Sequence, residues 1–137
     1  MSPPKVSKNI KTRLGTLERL PGNIVLLNIE DNIPVDMEIM VDVIDGLLEC
    51  FPGQKFFVIA DARKILTNAT IDSLNYAAYN KQFNKYCAAQ AVITDNLAIS
   101  LIANFYASIL KRNENVKLVK NMPEAEAWLK GKEALLG

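Results

Sequence analysis

The chain has 137 residues, 50% of them apolar and 23% charged, which fits one globular domain able to bury a hydrophobic core. A net charge of +1 argues against a strongly basic nucleic-acid binder, and the apolar content argues against disorder. The absence of histidine removes the commonest general base, a common zinc ligand and every Ser-His or Cys-His catalytic arrangement.

Residues 1–9 hold two prolines, two lysines and little apolar content, so they read as a loose tail before a single domain over 10–137. No basic-then-apolar leader opens the chain, and no apolar run approaches the roughly 18 to 20 residues that span a bilayer. The expectation is a cytoplasmic protein without a transmembrane segment, with Cys50 and Cys87 as reduced, inert thiols. From Ile10, Leu14, Leu17 and Leu20 lead to Pro21-Gly22-Asn23 and then an apolar run to Ile29. This predicts a strand, a tight turn and a second strand, with a bulge possible at Gly15.

After Pro34, Asp36 is placed to cap a helix whose apolar residues Met37, Met40, Val41, Ile44, Leu47, Leu48 and Phe51 recur at helical spacing. Pro52-Gly53 ends it, and "KFFVIA" has the continuous apolar character of a strand buried on both faces. A second helix is expected from about Ile71 to Tyr86, capped by Thr70. The strand "AAQAVIT" follows, then a third helix over about 96–110, the strand "VKLV" and a last helix opened by Pro123. Alternation of this kind predicts an α/β fold: a mostly parallel sheet of about five strands, with an antiparallel N-terminal strand and about four helices.

Chemistry is sparse. The six glycines are scattered and form no phosphate-binding fingerprint, so no nucleotide or other cofactor is expected, nor any metal. Asp61 and Asp95 fall at the carboxyl ends of predicted parallel strands, the edge where open α/β sheets bind ligands. They suit carboxylate catalysis on one reading; on the other, Asp95 caps a helix and Asp61 pairs with Arg63. Arg63 is likewise open to holding an anion.

With a hairpin, alternating helices and strands, the strand "FFVIADAR" and the ending "KLVKNMPEAEAWL", the chain over about 10–130 resembles the STAS fold of bacterial anti-sigma-factor antagonists. It looks most like small uncharacterised bacterial proteins of that type. The resemblance implies a regulatory domain, not an enzyme. In the antagonists the central strand ends in Asp-Ser, and phosphorylation of that serine breaks partner binding. The matching pair here is Asp61-Ala62, so the switch does not carry over at its own position. Thr67, Thr70 and Ser73 follow nearby, and a phosphate would be favourable at a helix N-terminus. Thr70 has the competing role of helix cap.

Tyr76, Tyr79, Phe83 and Tyr86 are expected on one side of the second helix, with Lys81 and Lys85 pointing away from them. They suit a core face or a pocket for a small apolar or lipid-like ligand, with Arg63 as headgroup contact. In the third expected helix, Ile99, Ala103, Tyr106 and Leu110 add a second apolar stripe beside the core one. Such a helix is buried nearly all round, within the domain, against lipid or in a protein interface, most simply a homodimer. The resulting expectation is protein–protein binding first, ligand carriage second and carboxylate catalysis third.

Overall fold

The computed structural model describes residues 9–29, 34–63, 70–94 and 115–137. Thr67, Asp95 and the proposed interface residues Ile99, Ala103, Tyr106 and Leu110 lie outside the described residues.

Among the described residues six strands form one sheet, in sequence order across it: β1 (Asn9–Lys11), β2 (Gly15–Leu20), β3 (Ile24–Ile29), β4 (Phe56–Asp61), β5 (Cys87–Ile93) and β6 (Val116–Val119). β1–β2 and β2–β3 pair antiparallel, while β3 through β6 run parallel. The mostly parallel sheet with its antiparallel hairpin is therefore as expected, with one strand more.

The extra strand comes from a break in the segment read as a single first strand. Thr12 is buried, and its hydroxyl donates to the Gly15 carbonyl at 2.7 Å while accepting from the Leu14 and Gly15 amides at 3.3 and 3.2 Å. A threonine hydroxyl engaging the backbone in this way closes a turn, so Gly15 starts β2 and is not a bulge. β1 also begins at Asn9, one residue inside the stretch read as tail.

The helix α1 (Met37–Cys50) connects β3 to β4 and starts where expected, with the Asp36 carboxylate accepting from the Ile39 amide at 3.0 Å. Between β4 and β5 the single expected helix is two: α2 (Ile71–Tyr79) and α3 (Lys81–Tyr86). Asn80 divides them. Its backbone is extended, its side-chain oxygen accepts from the Phe83 amide at 2.9 Å, and the Asn84 side chain caps the Ala78 carbonyl at 2.7 Å. An asparagine that caps a new helix wins here over the helical spacing of the aromatics around it.

The last helix, α4 (Met122–Lys130), begins one residue before Pro123 because Asn121 is the cap, accepting from the Glu124 amide at 2.9 Å. Glu124 reaches back to the Lys120 amide at 2.8 Å, a reciprocal arrangement like a capping box. A short 3-10 turn (Glu133–Leu136) follows.

Two cores share the sheet. On one face α1, α2 and α3 pack over Leu17, Val25, Leu27, Phe56 and Val58, and on the other α4 packs over Phe57, Ile59, Ala91, Ile93 and Val119. Alternate residues of β4 thus serve opposite cores, and Phe56 through Ile59 are all buried, as a continuous apolar run in a central parallel strand requires.

Candidate functional site

The carboxyl edge of the parallel strands brings together the ends of β3, β4, β5 and β6. Asp61 closes β4 on the face shared by Phe57 and Ile59, in register with Asn28 of β3 and Ile93 of β5. Arg63 turns back onto it: Nε donates to Oδ1 at 2.9 Å, Nη2 to Oδ2 at 2.8 Å, and the backbone amide to Oδ1 at 3.2 Å. This is the bidentate fork that suits guanidinium and carboxylate. Because the arginine remains substantially exposed, the pair contributes at most about 1 kcal/mol. Its larger effect is positional: both Asp61 oxygens are engaged in holding the turn after β4.

Between them Ala62 is buried, and its amide donates to the Ile93 carbonyl at 2.8 Å, extending the parallel ladder by one bond. The position matching the antagonists' serine thus carries a methyl group packed into the core. Two residues of the expected switch loop lie at the start of α2. Thr70 is exposed and acts as the cap, accepting from the Ser73 amide at 3.2 Å, an interaction worth about 1 kcal/mol. Ser73 is a correction to the sequence-based expectation. It is fully buried and its hydroxyl donates to the Thr70 carbonyl at 2.8 Å, so it presents no surface hydroxyl for phosphorylation.

The four aromatics do not form one cluster. Phe83 is buried in the core beneath α1, Tyr76 and Tyr86 pack half-buried against it, and Tyr79 points outward with 68% of its surface exposed. Lys85 does not point away, since its Nζ lies 5.3 Å from the centre of the Tyr86 ring, where the cation meets the π face. The side of α2 that meets the core carries Leu74, Ala77 and Ala78, which leaves Tyr79 outward while Tyr76, Phe83 and Tyr86 reach the core.

Two concavities that matter here are lined entirely by described residues. A groove of about 320 Å³ separates the β2–β3 turn from α4, with Leu20, Ile24, Phe57 and Leu129 among its lining. A crevice of about 10 Å³ beside Phe83, Cys87 and Val116 has room for no more than a water. Tyr76, Tyr79 and Tyr86 line neither.

What the sequence reading did not single out is apolar exposure in the helical layer. Met37 on α1 and Ile71 and Tyr79 on α2 stand exposed. Ile71, Asn75 and Tyr79 recur every fourth residue and form one outward stripe. A backbone hydrogen bond from the Thr70 amide to the Val35 carbonyl, 3.0 Å long, holds the starts of the two helices together.

Cys50, at the end of α1, is buried, and loss of hydration pushes its thiol up from 9.0 to about 11, with Arg19 opposing the shift. The protonated thiol is therefore favoured in the folded state and is a poor nucleophile. The unfolded chain releases this proton first as pH rises, so the stability contributed by Cys50 is present below pH 9 and is lost between pH 9 and about 11. Urea midpoints measured across that window should fall more for the native chain than for Cys50→Ala. Equal falls would refute the shift.

The helices of the described residues include none long and apolar enough to cross a membrane. No curated protein matches the chain. In fold it is similar to a crystal structure of an uncharacterised protein of the DUF3478 family from Shewanella loihica PV-4, described as having a SpoIIAA-like fold. That match has a TM-score of 0.59 at 11% identity and covers 82% of this chain and 90% of the other. The architecture is thus the SpoIIAA-like, or STAS-like, one that the sequence resembles. Residues 19–133 match the model described as Domain of unknown function (DUF7793), and the chain belongs to that family.

Proposed function

We propose that this chain is a cytoplasmic regulatory domain that acts by binding another protein and not by catalysis. The observation that carries the reading is the exposure of Met37, Ile71 and Tyr79 on the outer side of α1 and α2. Large side chains kept in water on adjoining helices have a direct use when a partner covers them. Two further facts point the same way. Asp61, the carboxylate at the sheet edge, is held bidentately by Arg63. The strands of the described residues follow one another in sequence order, without the reversal of order at which open α/β sheets form ligand crevices. The ligand-carrier reading has less support, because the tyrosines meant to form its pocket are spread between core and solvent.

A photo-crosslinking residue at Ile71 or Tyr79, used in the native cells, tests the proposal. A discrete protein adduct is expected from both positions and none from Glu133, which is exposed on the opposite layer. Indiscriminate labelling from all three positions, or none from any, removes the reading. Self-association through Ile99, Ala103, Tyr106 and Leu110 is its simplest form in the sequence pattern. Sedimentation at high protein concentration should show a dimer, and a monomer there rules that form out.

A further inference from the structure

Charge is unevenly distributed over the helical layer. α1 carries Glu38, Asp42, Asp45 and Glu49, α2 carries Asp72, and neither helix contains a lysine or arginine. This contrasts with the near balance of the whole chain, 16 Lys and Arg to 15 Asp and Glu. At about 100° per residue, Met37, Val41 and Leu48 fall on one line of α1 within about 40°. Glu38, Asp45 and Glu49 fall on the adjacent line. Met37 is exposed, Val41 and Leu48 are half-buried, and all three acids of the second line are exposed. The outer face of α1 thus sets Met37, Val41 and the open half of Leu48, whose other half packs against the core, beside an acidic stripe.

Among the described residues the cations that bond to α1 leave that field largely intact. Arg13, from the β1–β2 turn, approaches Glu38 at 3.2 Å, but both side chains are mostly in water, where such a pair is weak and screened. Asp42 accepts from the Arg13 backbone amide at 2.8 Å, a bond that adds no positive charge. Arg19 is at the far end of α1, donating to the Cys50 carbonyl.

Resting on the docking role proposed above, we infer that the partner meets this face with a basic segment carrying apolar anchors. Leu or Met side chains of that segment would cover Met37, Val41 and Leu48, and its Lys or Arg residues would face Glu38, Asp45 and Glu49. Complementary charge of this kind selects the partner and speeds encounter more than it adds affinity. The same charges disfavour a second copy on this face, because a two-fold interface would set each acidic stripe against either its equal or the other copy's apolar stripe.

The test uses two synthetic helical peptides of the same apolar pattern, one with lysine and one with glutamate at its polar positions. Both are titrated into the isotopically labelled full chain. The lysine peptide should shift amides of α1 and the first turn of α2, and the glutamate peptide should not. Removing the three acids together (Glu38→Gln, Asp45→Asn, Glu49→Gln) should weaken the lysine peptide about tenfold, as expected for three exposed pairs. Equal binding of both peptides at these amides overturns the basic-partner assignment and leaves the docking face standing. Shifts confined to other elements, or an unchanged affinity in the triple variant, overturn it as well. Crosslinking from Ile71 and Tyr79 is indifferent to charge, so an adduct there together with a failed titration would sink this inference alone.

Discussion

Replacing Phe57 with alanine should lower the unfolding free energy by about 4 kcal/mol, a large part of the roughly 5 to 15 kcal/mol of an ordinary domain. Phe57 is buried in β4 on the face covered by α4, among Ile59, Ala89, Ile93, Ala125 and Leu129. Several of its neighbours are alanines, too short to close the space that a phenyl ring leaves. The cost is then a lost transfer term plus a retained cavity. Phe57 also lines the groove between the β2–β3 turn and α4, so truncation joins the new cavity to an existing opening. Phe57→Leu keeps most of the volume and should cost about 1.5 kcal/mol or less. Urea unfolding of both variants, with unchanged dependence on denaturant, is the measurement. A loss below about 1 kcal/mol for Phe57→Ala would mean that α4 does not seal this face.

The elements readable in the sequence were those fixed by their own residues. "KFFVIA" is apolar at every position because β4 lies between two cores, and Asp36, Thr70 and Asn121 stand where caps stand. The Asn121 cap is the least legible of the three, since Pro123 by itself suggests a start one residue later. Misread elements were those in which a side chain competes with the backbone pattern. Thr12 folds its hydroxyl onto Gly15 and ends β1; Asn80 caps α3 and ends α2. Both residue types announce turns and caps, yet each stands in a segment whose apolar spacing suggests continuity.

The candidate site divides along the same line. The Asp61–Arg63 pair was legible because two residues of opposite charge stand two positions apart at a strand end. The outward turn of Tyr79, apart from Tyr76, Phe83 and Tyr86, was not. Exposure of Tyr79 and Ile71 depends on which side of α2 meets the core, a tertiary fact that local spacing does not contain. The acidic stripe on α1 was written in the sequence, but the balanced total charge masked it.

Gly15→Ala should be the other severe substitution, at about 3 kcal/mol. Gly15 pairs with Ile29 at the start of β2, and a Cβ there would collide with the Asn28 carbonyl oxygen, 2.9 Å from its carbon and 3.0 Å from the Ile29 Cα. All three are backbone atoms of the partner strand, so no side-chain rotation relieves the clash. The strands must separate locally, which also disturbs the Thr12 turn bonded to the Gly15 carbonyl. Gly46→Ala is the informative comparison. Its Cβ would meet the Leu17 Cδ1 at 2.8 Å and the Thr12 Cγ2 at 3.3 Å, both side-chain atoms, while alanine gains about 1 kcal/mol of helix propensity over glycine within α1. The two terms oppose each other, leaving a net loss of about 1 kcal/mol. Chemical denaturation of the pair should therefore rank Gly15→Ala well below Gly46→Ala in stability. The reverse order would mean that β2 and β3 are not in the register that sets Gly15 against Ile29.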